Sequence, residues 1–264
     1  MTQSEQTRVE KFIEDLDKTE REEVYQKALE KTSILIPREF VQNHGVHFDL
    51  VFRKLRLAEN YVTDFLYLSK SSTDWNVVFI ELEKPWTPFF KEGTDDLSPE
   101  FHEGLNQIDR WRAWVSVNGN LDHMFAETLE PIWRPTAMRS NPQRVKFVLV
   151  TGRRAEFAGD ARRRNLITAK ERDDFKILSY DSLLNGARHN RKLYVAKRLN
   201  SHIQILSDEF ISENLFAWVD PTRLEISQAL HDDAFASKSK WVHVESDMKT
   251  KSLDAKLPKI KISS

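Results

Sequence analysis

The chain has 264 residues, 40 Lys and Arg against 41 Asp and Glu, and a formal net charge of −1. It has no cysteine, which excludes disulfides, thiolate metal sites and cysteine nucleophiles. No apolar run approaches the ~18 residues of a membrane helix, and Met1-Thr2-Gln3-Ser4-Glu5 carries no signal pattern, so a soluble cytoplasmic protein is expected.

In chain order, residues 5–17 are predicted as an amphipathic helix, with Val9, Phe12, Ile13 and Leu16 on one stripe. Thr19-Glu20-Arg21-Glu22 has the spacing of a capping box and predicts a second helix to about Ile34, with Val24, Ala28 and Leu29 toward the core. From residue 47 the period changes. His47–Phe52, Tyr61–Leu68 and Val77–Glu83 read as strands, the last apolar on both faces and therefore central in its sheet. Ser98-Pro99 combines an N-cap residue with proline at the first helical position. The helix it opens should run to about Val117 and bury Leu105, Ile108 and Val115. Val145–Thr151 and Phe175–Ser179 are further strands, and Asp181–Arg198 is predicted mostly helical, with Gly186 as an interruption. Phe210–Leu230 is helical in part and broken at Asp220-Pro221. From Ala236 onward the Lys- and Ser-rich composition predicts a mobile or surface tail. The fold class is a mixed α/β sandwich, with residues 1–45 as N-terminal helices, 46–206 as the core and 207–264 as a C-terminal extension.

Three acids stand out. Asp64 is read as a lone acid near the end of one strand, and Glu81 and Glu83 lie two apart on the apolar strand, so the pair shares a face. Two carboxylates on a buried strand are costly through desolvation and mutual repulsion, and a divalent cation offsets both. Mg²⁺ accepts hard oxygen ligands and keeps several waters when one or two carboxylates hold it; beside a phosphodiester it activates water. The opposite reading makes Glu83 a strand end and Asp64 a turn cap. Lys84 is a candidate for steadying a phosphate, although directly after Glu83 it points to the other face unless a bulge intervenes. Gln107 shares a helical face with Trp111 and could hold water or phosphate, or simply bond to solvent. Arg153, Arg154, Arg162, Arg163 and Arg164 form one basic cluster, and Arg188, Arg191, Lys192, Lys197 and Arg198 a second. Each cluster is either a solvated face paired with acids or a phosphate-binding patch. No histidine spacing suits zinc, no glycine-rich phosphate loop is present, and paired acids on one side of one strand could not flank a sugar.

Taken together, Thr63-Asp64-Phe65, Val78–Pro85, Asn106–Trp111, Val148–Arg154 and Leu178–Leu184 resemble the PD-(D/E)xK nuclease superfamily and, more narrowly, the Shedu family of anti-phage nucleases. The resemblance spans about residues 60–190. It implies a restriction-endonuclease-like core, a mixed sheet flanked by helices, in which Asp64 and Glu81 are metal ligands and Gln107 supports the site. Position 83 is where the superfamily often has lysine, and this chain has glutamate. The function implied is Mg²⁺- or Mn²⁺-dependent DNA endonuclease activity in phage defence. Asp64, Glu81 and Glu83 would hold the metal, the 153–164 arginines would hold DNA, and the family's habit suggests a homo-oligomer. The alternative suggested by Glu83 is a nucleic-acid-binding or assembly protein that keeps the nuclease fold without turnover.

Overall fold

A computed structural model describes residues 1–59, 61–237 and 257–263. The helices are α1 Gln3–Leu16, α2 Glu22–Lys31, α3 Pro99–Ser116, α4 Asn120–His123, α5 Ala161–Thr168, α6 Tyr180–Gly186, α7 Asn214–Trp218 and α8 Gln228–Ser237. The strands are β1 Val46–Ala58, β2 Tyr61–Lys70, β3 Trp75–Leu82, β4 Gln143–Val150, β5 Phe175–Leu178, β6 Tyr194–Arg198, β7 Ile203–Ile205, β8 Leu224–Ile226 and β9 Lys261–Ile262. They form one mixed sheet in the order β5-β4-β3-β2-β1-β6-β7-β8-β9. β1, β2 and β3 are antiparallel neighbours, whereas β4 and β5 continue the sheet in parallel from β3.

The sheet is buried on both faces, as an apolar β3 requires. Val77 and Phe79 pack with Phe101, Ile108 and Trp111 of α3. Val78, Ile80 and Leu82 pack with Phe12 and Leu16 of α1, Tyr25 and Leu29 of α2, and Tyr180 and Leu183 of α6. The N-terminal helices are therefore part of the same core as the strands. Gly104 allows α3 to lie close, since a Cβ there would meet Leu149 at 3.2 Å and the Glu83 Cγ at 3.3 Å. Gly152, just past β4, has φ +59° and faces Phe89 and the Thr87 carbonyl at distances no side chain would tolerate.

Several local expectations change. Ser98 caps α3 as predicted, its hydroxyl accepting from the Phe101 N–H at 3.0 Å, but α3 buries Phe101, Gly104, Ile108 and Trp111, with Leu105 and Val115 only partly covered. The Thr19 capping box does not form: α2 starts at Glu22 behind Arg21, with no side-chain cap. The Tyr25 hydroxyl takes the Glu20 N–H instead, at 3.2 Å, and the capping box lies at Thr2 and Glu5 of α1. Val24 and Ile13 are exposed. The stretch predicted as helix to Arg198 stops at Gly186, and Tyr194–Arg198 becomes β6, parallel to β1. Its short apolar run suits either state, and pairing with β1 decides it. The predicted tail falls largely on residues 238–256, outside the described residues. Beyond it Leu257 and Ile260 are buried, and β9 pairs with β8.

Candidate active site

The site forms where β2 and β3 part. Their backbone ladder runs from Lys70–Trp75 to Phe65–Ile80, so Asp64 and Glu81 are the next residues along. There, side chains replace ladder bonds: Thr63 Oγ1 donates to the Ile80 carbonyl at 3.2 Å, and Asp64 Oδ2 accepts the Leu82 N–H at 2.8 Å. On the other side β1 pairs Arg53 with Phe65 and Leu55 with Thr63, which sets Lys54 across from Asp64. Lys54, Asp64 and Glu81 thus form one row over three strands.

Asp64 is 2 % exposed. Its Oδ1 accepts from the Lys54 ammonium, and Glu81 is its neighbour across the β2–β3 ladder. The first turn of α2 brings Glu22 to 3.6 Å from Lys54 Nζ. Burial pushes the Glu81 carboxyl well above the usual carboxylate range, and the charges of Asp64, Glu22 and Glu83 push it further. Burial, then Glu22 and Asp64, raise Glu83 to about 7, with Lys84 opposing. Glu22 is raised by burial and by Asp64. Lys54 is held above its ordinary value: burial disfavours its charge, but Asp64, Glu22 and Glu81 outweigh that. Behind the site, the buried Tyr180 hydroxyl donates to the Glu83 carbonyl at 2.6 Å and fixes the end of the acidic strand.

The remaining sequence candidates separate. Lys84 places its Nζ 4.7 Å over the Trp86 ring. The Gln107 Oε1 is turned to Arg110 instead, accepting from its Nε at 3.0 Å. Arg153 pairs with Asp17 at 2.7 Å and Asp181 at 3.0 Å. Arg163 pairs with Asp95 at 2.9 Å and stacks over Phe90. Arg162 is exposed but bridges to Asp95 at 3.1 Å. Arg154 and Arg164 present exposed side chains. Sequence reasoning missed Glu22 and Lys54, which read as ordinary charges on a helix and a strand.

The donor chemistry suits a hard divalent cation, because two adjacent carboxylates in excess of nearby positive charge are what such an ion relieves. Asp64 and Glu81 could supply these oxygens, with waters completing the shell. Among the described residues no three or more His, Cys, Asp or Glu side chains are already gathered around one point that could hold an ion.

A mixed α/β sheet flanked by helices, with a carboxylate cluster at the parting of two central strands, defines the class. Residues 19–184 match the family described as Shedu protein SduA, C-terminal, and the chain belongs to that family. The match begins just before α2 and so includes Glu22. No curated protein matches the chain. No helix among the described residues is long and apolar enough to cross a membrane.

Proposed function

We propose that this protein is a metal-dependent DNA endonuclease of the PD-(D/E)xK type acting in anti-phage defence. The observation that carries the reading is the Asp64–Glu81 pair: two carboxylates adjacent across β2 and β3, with Glu81 driven toward protonation by burial and by the negative charges around it. Family membership supports the same reading. Asp64 and Glu81 would hold Mg²⁺ or Mn²⁺, which when bound supplies an electrophile for the phosphate and acidifies water. Glu83, two residues on and with its carboxyl raised to about 7, would accept a proton from the attacking water. In the reaction the water oxygen attacks phosphorus and the bond to the leaving sugar oxygen breaks with its electron pair. One proton leaves the water and one is gained by the leaving oxygen. Of the 153–164 cluster, Arg154, Arg162 and Arg164 are exposed and available to the DNA backbone. DNA as partner and homo-oligomeric assembly follow from the family resemblance.

The test is cleavage of supercoiled and linear DNA with Mn²⁺, comparing wild type with Glu81→Ala. Metal-dependent products from wild type alone support the reading, and equal cleavage by both removes it. DNA binding without cleavage under any divalent ion would favour the turnover-free alternative that the glutamate at position 83 suggests.

A further inference from the structure

We propose that Lys54, on β1, is the catalytic lysine of this site and takes the part that neither residue 83 nor residue 84 can take. The inference rests on the nuclease reading above and deepens it. Lys54 is the cation that reaches the carboxylates: its ammonium donates to Asp64 Oδ1 and lies 3.6 Å from Glu22. Lys84 is turned to the Trp86 ring at 4.7 Å. Position 83 offers a carboxyl, with its Cγ under Gly104 of α3. The row geometry makes the exchange physical, because Asp64 has Glu81 as neighbour on β3 and Lys54 as neighbour on β1. A cation on β1 therefore approaches the same carboxylate from the strand opposite to the one that carries residue 83.

The backbone adds a second observation. Lys54 has φ 43°, a left-handed conformation in the middle of a strand. A non-glycine residue there is strained; Phe48 and Asp49 near the start of β1 share that region, and at Lys54 it accompanies an ammonium carried into the acid cluster.

Chemically, a fixed ammonium beside the metal-binding carboxylates neutralises a non-bridging phosphate oxygen as negative charge builds during attack. Without substrate the same ammonium stays on Asp64. Lys54 therefore competes with a divalent cation for that carboxylate while assisting the phosphate.

Cleavage of linear DNA with Mn²⁺, calorimetric titration with Mn²⁺ alone, and thermal melting separate the possibilities. Lys54→Met should cut on the order of 100-fold more slowly, while binding Mn²⁺ as tightly as wild type or more tightly. Lys54→Arg should keep more cleavage than Lys54→Met. Lys54→Met combined with Glu83→Lys should regain about 10-fold over Lys54→Met, since the cation returns from the other strand. Cleavage by Lys54→Met within about 3-fold of wild type overturns the assignment while leaving the nuclease reading intact. Joint loss of Mn²⁺ binding and melting temperature, unrelieved by Lys54→Arg, overturns it in favour of a purely structural lysine. Absence of cleavage by wild type removes the nuclease reading itself, and the assignment with it.

Discussion

The two ends of the central strands treat buried charge in opposite ways. At one end the start of β1 and the end of β2 border a cavity of about 410 Å³ lined by Arg38, His44, His189 and Arg191, with Asp49 as the carboxylate in its wall. Charges there are met within the fold. Arg38 donates to the carbonyls of Arg191, Ser33 and Ile36 at 2.9, 3.1 and 3.2 Å, and burial lowers it to about 10. Asp49 accepts from the Ser212 hydroxyl at 2.6 Å. At the other end Glu22, Asp64, Glu81 and Glu83 share Lys54 and, less directly, Lys84, and three of the four carboxyls are pushed upward. Both ends carry an excess of one sign, but at the cavity end the buried Arg38 is met by backbone carbonyls, whereas at the acidic end carboxylates are left facing one another. Carboxylates crowded in that way cost stability, which the metal proposed for this site would relieve.

The contrast is tested most strongly at Glu81. Glu81→Gln should slow cleavage on the order of 10³-fold, whereas His44→Ala in the cavity should leave it within about 2-fold; equal losses in a cleavage assay would erase the difference between the two ends. Next comes pH. The folded values of Glu81 and Glu83 lie above those of the unfolded chain, so the stability these groups contribute is complete below the unfolded value. It is lost as pH rises through the folded values, about 7 for Glu83. Without metal, the melting temperature should fall by roughly 5 °C from about pH 5 to about pH 8. Glu81→Gln should flatten that slope, and a flat wild-type profile would mean the acids are already compensated.

A smaller effect is expected behind the site. Tyr180→Phe removes the hydroxyl that holds the Glu83 carbonyl and should cost about 1–2 kcal/mol in denaturant unfolding. Smallest is the effect among the arginines. Arg154→Ala should lower the salt slope of DNA binding by about one, at unchanged stability. Arg153→Ala, which loses two carboxylate partners, should destabilise by about 1 kcal/mol. The reverse pattern would exchange their assignments.

Much of the fold was legible because its cues are local. Short apolar runs bounded by polar or turn residues mark β1 to β5, and Ser98-Pro99 marks the start of α3. β6 was not legible, since Tyr194-Val195-Ala196 suits a helix as well as a strand until β1 pairs with it. The α2 start was misplaced because Thr19 and Glu22 carry cap chemistry, but Tyr25 supplies the bond and Glu22 turns to Lys54. Within the site, Asp64 and Glu81 stand out in the sequence because acids next to apolar strands are expensive. Glu22 and Lys54 do not, because a charge on an amphipathic helix or a strand looks the same whether it meets water or a buried carboxylate.

The sequence by itself determined that two acids would sit side by side at the end of an apolar strand, for burial and repulsion follow from residue type and period alone. Tertiary structure decided which cation meets them. Lys84 is next in the chain yet faces Trp86, while Lys54 is ten residues before Asp64 and touches it. Antiparallel pairing brings together residues distant in the chain and sends adjacent ones to opposite faces.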